Sequence, residues 1–386
     1  AASDVYKRQV VGSLLRIVGK VASYILFAVT IFSAYGGRFD PDYFTFPAVA
    51  VLLLPYLAIA TFVVSAAWIV ARRFITGALG VLSLVAAWAP VSNVVPVQFS
   101  AKPDPDKVSF TVLTYNIIHG WDQQQKLADP MRQKGNPAFD YVINSGADIV
   151  CLQEVVKFED WEIPNLTKEM KDTLYKVYPY RAGMSYSDTK VLSKYPLDFI
   201  PARVYITDKR FDDRRYTFYK VNIKGHELML INMHMGSVGL SEDERNVVTE
   251  MKSVQGAKSS ISEMKGTIRE KLRRSFRRRK IDASILRETL SNFRGPLVIC
   301  GDFNDVPESY AYRLLKGEDL HDAYAETGFG PLVTYNQHMF WFHLDQIFYR
   351  GPLKALSVKK GKIKASDHYP LLATFEFTGE LSLIHI

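Results

Sequence analysis

Apolar residues are concentrated in the first hundred positions of the chain. Residues 14–35, 46–70 and 74–91 form three almost uncharged stretches, and each is near the ~20 residues that a helix needs to cross the hydrocarbon core of a bilayer. A buried helical hairpin of a soluble protein is the alternative, but residues 46–70 contain no charged side chain at all. We therefore predict a transmembrane region with three helices within residues 10–97.

The chain beyond this region has the mixed pattern of a folded domain. Short apolar segments at residues 108–116, 147–154, 227–233, 296–300 and 342–349 predict strands, and residues 366–371 open a last one. Each segment carries an Asn, Glu, Asp or His at a comparable place. Residues 98–107 are polar and contain prolines, which predicts a linker. The remaining residues, 108–378, are enough for one large domain or two small ones.

Both ends of the chain have an unusual origin. Residues 4–9 and 381–386 can be back-translated as the two strands of one transposon mosaic-end sequence used in DNA library preparation. We interpret them as sequencing-adapter artefacts and exclude them from the fold analysis. The protein itself then occupies roughly residues 10–378, and its true first residues are expected to be missing.

The positions of Lys and Arg near the predicted spans indicate an orientation. One side of the membrane would receive four basic residues, Arg16, Lys20, Arg72 and Arg73. The other side would receive three, Arg38, Lys102 and Lys107, of which the last two lie well beyond the third span. Three spans with the N-terminus inside place the large domain outside the cytoplasm.

Positive charge in the large domain belongs mainly to one segment. Residues 252–280 contain eleven basic and two acidic side chains, and the rest of the domain is net acidic. Apolar residues recur there at spacings of three and four, which predicts an amphipathic helix; they are Ile261, Met264, Ile268, Leu272 and Phe276. Its cationic face is consistent with a solvated surface, with docking on anionic lipid headgroups, or with binding to a nucleic-acid backbone.

The two cysteines, Cys151 and Cys300, both lie in predicted strands. A disulfide would suit an extracytoplasmic domain, but free buried thiols are the favoured interpretation of a single pair. No cluster of Cys and His with the spacing of a zinc site is present in the sequence.

The polar residues near the strand ends suggest chemistry when they are taken together. Singly, each has an ordinary explanation, such as a solvated strand end, a turn cap or a core histidine. Together they supply oxygen ligands and two histidines, which suits Mg²⁺-dependent phosphoryl hydrolysis. That reaction needs an oriented water, charge neutralisation and a proton donor for the leaving oxygen.

These segments resemble the successive motifs of the endonuclease/exonuclease/phosphatase (DNase I-like) superfamily. In chain order they are Thr114-Tyr115-Asn116-Ile117, Leu152-Gln153-Glu154, Asn232-Met233-His234, Gly301-Asp302-Phe303-Asn304, Leu344-Asp345-Gln346-Ile347 and Ser366-Asp367-His368. The resemblance covers essentially all of residues 108–377. It implies an α+β fold, a four-layer α/β/β/α sandwich with its site at one edge of two packed sheets, and hydrolysis of phosphate esters with Mg²⁺ or Mn²⁺.

The resemblance also implies a role for each motif residue. Asn116, Glu154 and Asp367 would hold or adjoin the metal, with Glu154 as the direct ligand. Asp302 would orient and activate the attacking water, and Asn304 would contact the phosphate or the nucleophile. His368, oriented by Asp345, would stabilise charge on the phosphoryl group. His234 would polarise or protonate the leaving side.

Two features of the sequence are not part of the motif pattern. Asp188-Thr189-Lys190 stands where relatives usually have small apolar residues, and we expect this to affect a neighbouring strand without removing a catalytic group. His119 and His343 are close in sequence to motif residues, and we expect supporting or structural roles for them in preference to direct involvement.

The sequence therefore predicts a membrane-anchored, metal-dependent hydrolase of phosphate esters, most consistent with a phosphodiesterase. Its partners would be the lipid bilayer and a substrate that is a nucleic acid, a phospholipid headgroup of the sphingomyelinase sort, or an inositol phosphate; no protein partner is evident. The membrane region and the cationic segment favour a lipid slightly, and the acidic remainder of the domain argues against a broad DNA-binding face. A catalytically inactive, membrane-bound binding module of the same fold is the alternative.

Overall fold

The computed structural model describes residues 2–118, 135–155, 166–183, 187–212, 214–239, 258–291, 293–337 and 340–379, with the backbone alone for residues 2–8 and 258–265. The chain divides into two compact units. The first comprises Ala1–Val95 and Glu308–Tyr310, and the second comprises Pro96–Pro307 and Ala311–Ile386.

The first unit is helical. Its helices are α1 (Ala2–Tyr35), α2 (Thr45–Val51), α3 (Leu54–Val70), α4 (Phe74–Ala86) and α5 (Trp88–Val94). Within the described residues, one helical segment, Gln9–Arg38, is long and apolar enough to cross a membrane. The pair α2 and α3 meets at 61° and the pair α4 and α5 at 76°, so the number of spans rises to three if each bent pair counts as one.

The bends differ from the uninterrupted second and third spans that the hydropathy pattern predicts. Each break has a proline four residues after the end of the preceding helix: Pro55 follows Val51, and Pro90 follows Ala86. A proline ring clashes with the carbonyl four residues earlier and lacks an N–H to bond it. The two prolines therefore account for the ends of α2 and α4.

Small and hydroxyl-bearing residues pack the helical unit. The hydroxyls of Thr30 on α1 and Thr61 on α3 are 2.7 Å apart and buried, and Ser33 Oγ donates to the carbonyl of Ala50 at 2.7 Å. A Cβ atom at Gly80 on α4 would lie 2.0 Å from Ser65 Oγ. Such close contacts between small and hydroxyl side chains are typical of helices that associate within a bilayer.

The second unit contains two six-stranded sheets and one hairpin. The first sheet has the order β13-β14-β1-β2-β4-β3, the second has the order β5-β6-β7-β8-β12-β9, and β10 pairs with β11. The strands are β1 (Ser109–Asn116), β2 (Ile149–Gln153), β3 (Tyr180–Ala182), β4 (Thr189–Ser193), β5 (Leu197–Ile200), β6 (Tyr216–Ile223), β7 (His226–His234), β8 (Leu297–Asp302), β9 (His321–Asp322), β10 (Tyr335–Gln337), β11 (Phe340–Phe342), β12 (Asp345–Arg350), β13 (Leu353–Lys360) and β14 (Leu371–Phe377).

Each sheet has one parallel pair at its centre, β1 with β2 and β7 with β8. The pairings that flank these strands are antiparallel. Alternation along the strands sends one side chain in two toward the opposite sheet. Phe110, Val112, Leu230, Val298 and Ile347 are among the residues that form this inner core.

Helices cover the outer face of each sheet. They are α6 (Pro137–Asn144), α7 (Lys168–Val177), α8 (Lys258–Leu290) and α9 (Tyr310–Lys316). A fifth helix, α10 (Ala323–Thr327), contributes Ala323 and Tyr324 to the inner core instead. Phe139 and Leu174 bring α6 and α7 onto the first sheet, whereas Leu286 and Leu315 bring α8 and α9 onto the second. Three apolar layers thus separate four layers of structure, which confirms the predicted α+β, four-layer α/β/β/α sandwich.

Two predicted segments differ in detail. The strand predicted over residues 342–349 is interrupted: β11 ends at Phe342 and β12 begins at Asp345, which is therefore a strand's first residue and not an interior one. Thr334 Oγ1 accepts hydrogen bonds from the amides of Leu344 and Asp345, and these bonds hold the turn. In the predicted linker, Gln98 N donates to Gly328 O and Ala101 N to Leu356 O, so this segment is bonded along the second unit.

Candidate active site

The polar cluster continues the inner core at one end of both sheets. On β1, Asn116 lies an even number of residues from the inward-facing Phe110 and Val112. His234 on β7, Asp302 on β8 and Asp345 on β12 also lie an even number of residues from inward-facing residues of their own strands. Register places His234 and Asp345 on either side of Asp302. Strand alternation therefore directs all four polar side chains into one inter-sheet cleft.

Asn116 connects the two sheets within this cleft. Its Nδ2 atom donates to Glu154 Oε1 at 3.1 Å and to Asp302 Oδ2 at 3.0 Å. Glu154 follows β2 directly and has φ of 58°, a left-handed conformation that is unusual for a residue with a side chain. Backbone strain of this kind is often retained at functional sites.

A polar bridge supports the cleft one layer deeper. Gln153 Nε2 donates to Asn232 Oδ1 at 2.7 Å, and Asn232 Nδ2 donates to the carbonyls of Leu152 and Lys190 at 3.0 Å each. Both amide side chains are fully buried. Because these bonds join β7 to β2 and β4, they fix the spacing of the sheets directly below the polar cluster.

His368 and Asp345 form one buried imidazole–carboxylate pair. His368 Nδ1 lies 2.8 Å from Asp345 Oδ2, and His368 Nε2 lies 3.5 Å from Asp302 Oδ2. Burial of the imidazole opposes its protonation, but the charges of Asp345 and Asp302 outweigh burial and raise the pKa of His368 well above its ordinary value. The two carboxylates therefore favour the protonated imidazole, whose Nε2 atom faces Asp302.

His234 forms a second pair on the other side of Asp302. Its Nδ1 atom is hydrogen-bonded to Asp188 Oδ2, and its Nε2 atom lies 3.7 Å from Asp302 Oδ2 and 3.8 Å from Glu154 Oε1. Burial again opposes protonation, but the hydrogen bond and charge of Asp188, with Asp302 and Glu154, raise the pKa of His234. Among the described residues, His234 Nε2 has no hydrogen-bond partner.

Asn304 is held in the turn that follows β8. Its amide N–H donates to Asp302 Oδ1 at 2.7 Å, and its Nδ2 atom contacts Asp302 Oδ2 at 3.2 Å and Met235 O at 3.0 Å. Just before this turn, Gly301 on β8 has φ of 145°, and a Cβ atom there would lie 1.8 Å from Met233 O on β7, so the two strands approach closely only with a glycine at this position. The loop after Asp302 is thereby joined to the loop after His234.

Asp367 completes the cluster from the segment before β14. Burial raises the pKa of its carboxyl group, the charge of His368 opposes that rise, and the negative charges of Glu154 and Asp302 add to it. Burial likewise raises the pKa of Asp302. Burial is the main cause of both shifts, so each carboxylate lies where its ionised form is poorly solvated.

A divalent cation fits this environment. Five carboxylates, from Glu154, Asp188, Asp302, Asp345 and Asp367, surround only two imidazoles. Ligand atoms of Asp302, Asp345 and His368 lie within 4.8 Å of one another, as a metal site requires. Hard oxygen donors of this kind suit Mg²⁺ or Mn²⁺.

The structure thus brings together all eight residues to which the sequence assigned a role: Asn116, Glu154, His234, Asp302, Asn304, Asp345, Asp367 and His368. It adds Asp188, which the motif comparison treated only as part of a neighbouring strand. His343 is buried, and burial lowers its pKa to about 3, so it is neutral. His119 lies outside the described residues.

The comparison with known families agrees with this architecture. The model of the Endonuclease/Exonuclease/phosphatase family matches residues 113–368. The match covers most of the second unit and includes all eight site residues. The chain belongs to this family, whose members hydrolyse phosphate esters, and the predicted superfamily resemblance is confirmed.

Solved structures with a similar fold are distant in sequence. A humanized D. rerio TDP2 is 14% identical, with 69% of this chain and 98% of that chain covered and a TM-score of 0.43. ANGEL2, described as a 2',3'-cyclic phosphatase in complex with adenosine-2',3'-vanadate, is 18% identical over 72% and 98%, with a TM-score of 0.41. An endonuclease/exonuclease/phosphatase from Beutenbergia cavernae is 15% identical over 70% and 72%, with a TM-score of 0.43. No curated protein matches the chain.

Proposed function

We propose that this protein is a Mg²⁺- or Mn²⁺-dependent phosphodiesterase that is anchored in a membrane by three spans and has its catalytic domain outside the cytoplasm. The observation that carries the activity is the position of two imidazoles on either side of one carboxylate. His368 Nε2 and His234 Nε2 lie 3.5 and 3.7 Å from Asp302 Oδ2. Hydrolysis of a diester uses a base for water, a cation beside the phosphoryl oxygens and an acid for the leaving oxygen.

The site residues divide these roles between them. Asp302, oriented by Asn116 and Asn304, accepts a proton from the attacking water as its oxygen bonds to phosphorus. His368 stabilises negative charge on the phosphoryl oxygens. His234 donates the proton that the departing alkoxide needs, so the products are a phosphate monoester and an alcohol.

Two groups of residues are candidates for holding the metal. Asp302, Asp345 and His368 are close enough together, but His368 Nδ1 and Asp345 Oδ2 already satisfy one another at 2.8 Å. Glu154 keeps 27% of its side chain exposed at the cleft, and Asn116 bridges it to Asp302. We therefore assign the metal to Asn116 and Glu154 with Asp367 adjacent; a bound Mg²⁺ or Mn²⁺ supplies positive charge to the phosphoryl group.

The activity is tested with the purified full chain. We expect chelator-sensitive hydrolysis of a bis-aryl phosphate, restored by Mg²⁺ or Mn²⁺, with plasmid DNA, sphingomyelin and an inositol phosphate as further substrates. Asp302→Asn should lower the rate by about 10³-fold or more, because it removes the base. Asp198→Asn, an exposed residue of β5, is the matched control and should be unchanged.

Two results would contradict this function. A near-normal rate for Asp302→Asn would remove the assigned base. A folded chain that binds metal but hydrolyses none of these substrates would favour the inactive binding module.

The membrane location rests on the apolar helices and the distribution of basic residues. Basic side chains near the predicted span ends number four on one side and three on the other. A reporter fused after Thr378 that is active only outside the cytoplasm is the expected result. Reporter activity inside the cytoplasm would reverse the orientation and make intracellular phosphate esters the candidate substrates.

A further inference from the structure

Helix α8 has an arginine at a position where its apolar face is expected to continue. After Phe276, the next positions at spacings of three and four are Arg279 and Ala283. Ala283 packs in the apolar layer between α8 and the second sheet, and Arg279 is only 1% exposed. A buried charge is costly unless it is paired and hydrogen-bonded. The partners of Arg279 therefore decide what this residue does.

The guanidinium of Arg279 bonds the loop after β8 and the loop after β7 at the same time. Its Nε atom donates to Asp305 Oδ2 at 2.9 Å, and its Nη1 atom donates to Gly236 O at 3.0 Å. Asp305 is three residues after Asp302, and Gly236 is two residues after His234. Charge-assisted hydrogen bonds of this kind are stronger than neutral ones. We call Arg279 with Asp305 and Gly236 the arginine clamp.

Further contacts fix the orientation of this guanidinium. Ser275, one turn earlier on α8, is hydrogen-bonded to Arg279 Nη1 and also donates to Gly236 O at 3.2 Å. On the loop side, Asp305 Oδ1 accepts from the amide of Val306 at 3.0 Å, which leaves Oδ2 for the guanidinium. The planar fork is thus held in one orientation, and a lysine ammonium at this position could not reproduce both loop bonds in the same geometry.

The two loops begin where the ladder between β7 and β8 ends. His234 and Asp302 are paired as the last residues of these parallel strands, and His234 Nε2 lies 3.7 Å from Asp302 Oδ2. Beyond the ladder the loops are joined by Asn304, whose Nδ2 atom donates to Met235 O at 3.0 Å, and by Arg279. Of these two groups only Arg279 is charged. The separation of acid and base in the cleft therefore depends in part on the arginine clamp.

We propose that Arg279 is a positioning residue for the reaction: by bonding both loops, it keeps His234 at the distance from Asp302 that proton donation to the leaving oxygen requires. Arg279 acts through the loops, and we assign it no contact with the substrate. A misplacement of about 1 Å in a catalytic constellation can cost about 10²-fold in rate. The inference rests on the proposed phosphodiesterase function and adds a residue of α8 to it.

The kinetic signature of this role is a loss that depends on the leaving group. Arg279→Lys should lower kcat by about 10–100-fold on a diester with an alkyl leaving group, with KM nearly unchanged. With a p-nitrophenyl leaving group, which departs without a proton, the loss should be several-fold smaller. A merely structural role would lower both rates equally, in proportion to the folded fraction. Steady-state kinetics of the purified full chain measures both rates.

Another arginine of the same helix provides the matched control. Arg287 Nη1 is paired with Asp319 Oδ1 at 2.5 Å, in the segment that follows α9, and Arg287→Lys should keep the parent rates on both substrates. Asp305→Asn nearly preserves the shape of the side chain and removes the charge that faces Arg279. It should show the same leaving-group dependence with a smaller loss, and it is the test if Arg279→Lys does not fold.

Hydrogen exchange tests the arginine clamp without turnover. In Arg279→Lys the backbone amides of residues 235–236 and 303–306 should exchange faster by about tenfold or more, whereas those of β1 should exchange as in the parent chain. Unchanged exchange in either loop, equal losses on the two substrates, or parent rates in Arg279→Lys would overturn the proposal. A parent chain that hydrolyses no diester would defeat the proposed function, and the exchange rates alone would then decide whether Arg279 joins the loops.

Discussion

Each of the two imidazole–carboxylate pairs in the cleft joins the two sheets, but the imidazole comes from the second sheet in one pair and from the first sheet in the other. In one pair His234 ends a strand of the second sheet and Asp188 precedes a strand of the first. In the other, His368 precedes a strand of the first sheet and Asp345 begins a strand of the second. Both pairs use Nδ1 for the carboxylate and direct Nε2 toward Asp302.

The pairs differ in how far they are removed from solvent. The Asp345 side chain is 1% exposed, whereas that of Asp188 is 13% exposed. Burial opposes protonation of both imidazoles, but the pKa of each is raised, that of His368 by Asp345 and Asp302 and that of His234 chiefly by Asp188. The more enclosed imidazole, that of His368, suits charge stabilisation, and the imidazole whose carboxylate partner is nearer solvent, that of His234, suits proton transfer. Two similar imidazole–carboxylate pairs can thus have different roles, with one imidazole as a fixed positive charge and the other as a proton donor.

Removal of either imidazole should have a larger effect than loss of its carboxylate partner. His234→Gln and His368→Gln should each lower kcat by about 10²–10⁴-fold on a substrate with an alkyl leaving group. With a p-nitrophenyl leaving group, which departs without a proton, the His234→Gln loss should shrink while the His368→Gln loss persists. Steady-state kinetics on the two substrate types measures the difference.

A matched histidine tests whether the effect is specific. His226→Gln changes a half-buried imidazole that stacks on Phe377 at the other end of β7, and it should keep the parent rate. If the losses for His234→Gln and His368→Gln depended equally on the leaving group, the division into acid and fixed cation would be wrong.

The contrast between the pairs also shows what the sequence could predict. His368, Asp345 and His234 were identifiable because each lies in a motif at a strand end. Asp188 was not, because its carboxylate meets His234 across 46 residues and only after the two sheets stack. Its sequence neighbours, Ser187 and Thr189, carry no sign of this partner.

Other differences have local causes. The family resemblance implied a site at one edge of two packed sheets, and strand alternation directs the motif side chains there even when strand ends are predicted with small errors. The interruption before Asp345 depends on two hydrogen bonds to Thr334, ten and eleven residues earlier in the chain, and apolar periodicity does not report such bonds. The bends after α2 and α4 were visible in the sequence at Pro55 and Pro90, but a hydropathy window averages over them.

Loss of either carboxylate partner should have a smaller effect and a characteristic pH dependence. Asp188→Asn and Asp345→Asn should each lower kcat by about 10–100-fold, as expected for residues that orient a catalytic group. Asp188 raises the pKa of His234, so the protonated donor is present at low pH and is lost as pH rises through that raised pKa. In Asp188→Asn the pKa falls, and the alkaline limb of the kcat–pH profile should therefore move to lower pH.

Asp345→Asn provides the comparison within the same experiment. Asp345 raises the pKa of His368, so Asp345→Asn should lower that pKa, and the rate should be lost at a lower pH than in the parent enzyme. Asp198→Asn should reproduce the parent profile. An alkaline limb that stays in place in Asp188→Asn would mean that His234 does not supply the proton, and the two pairs would then have to be regarded as equivalent supports for Asp302.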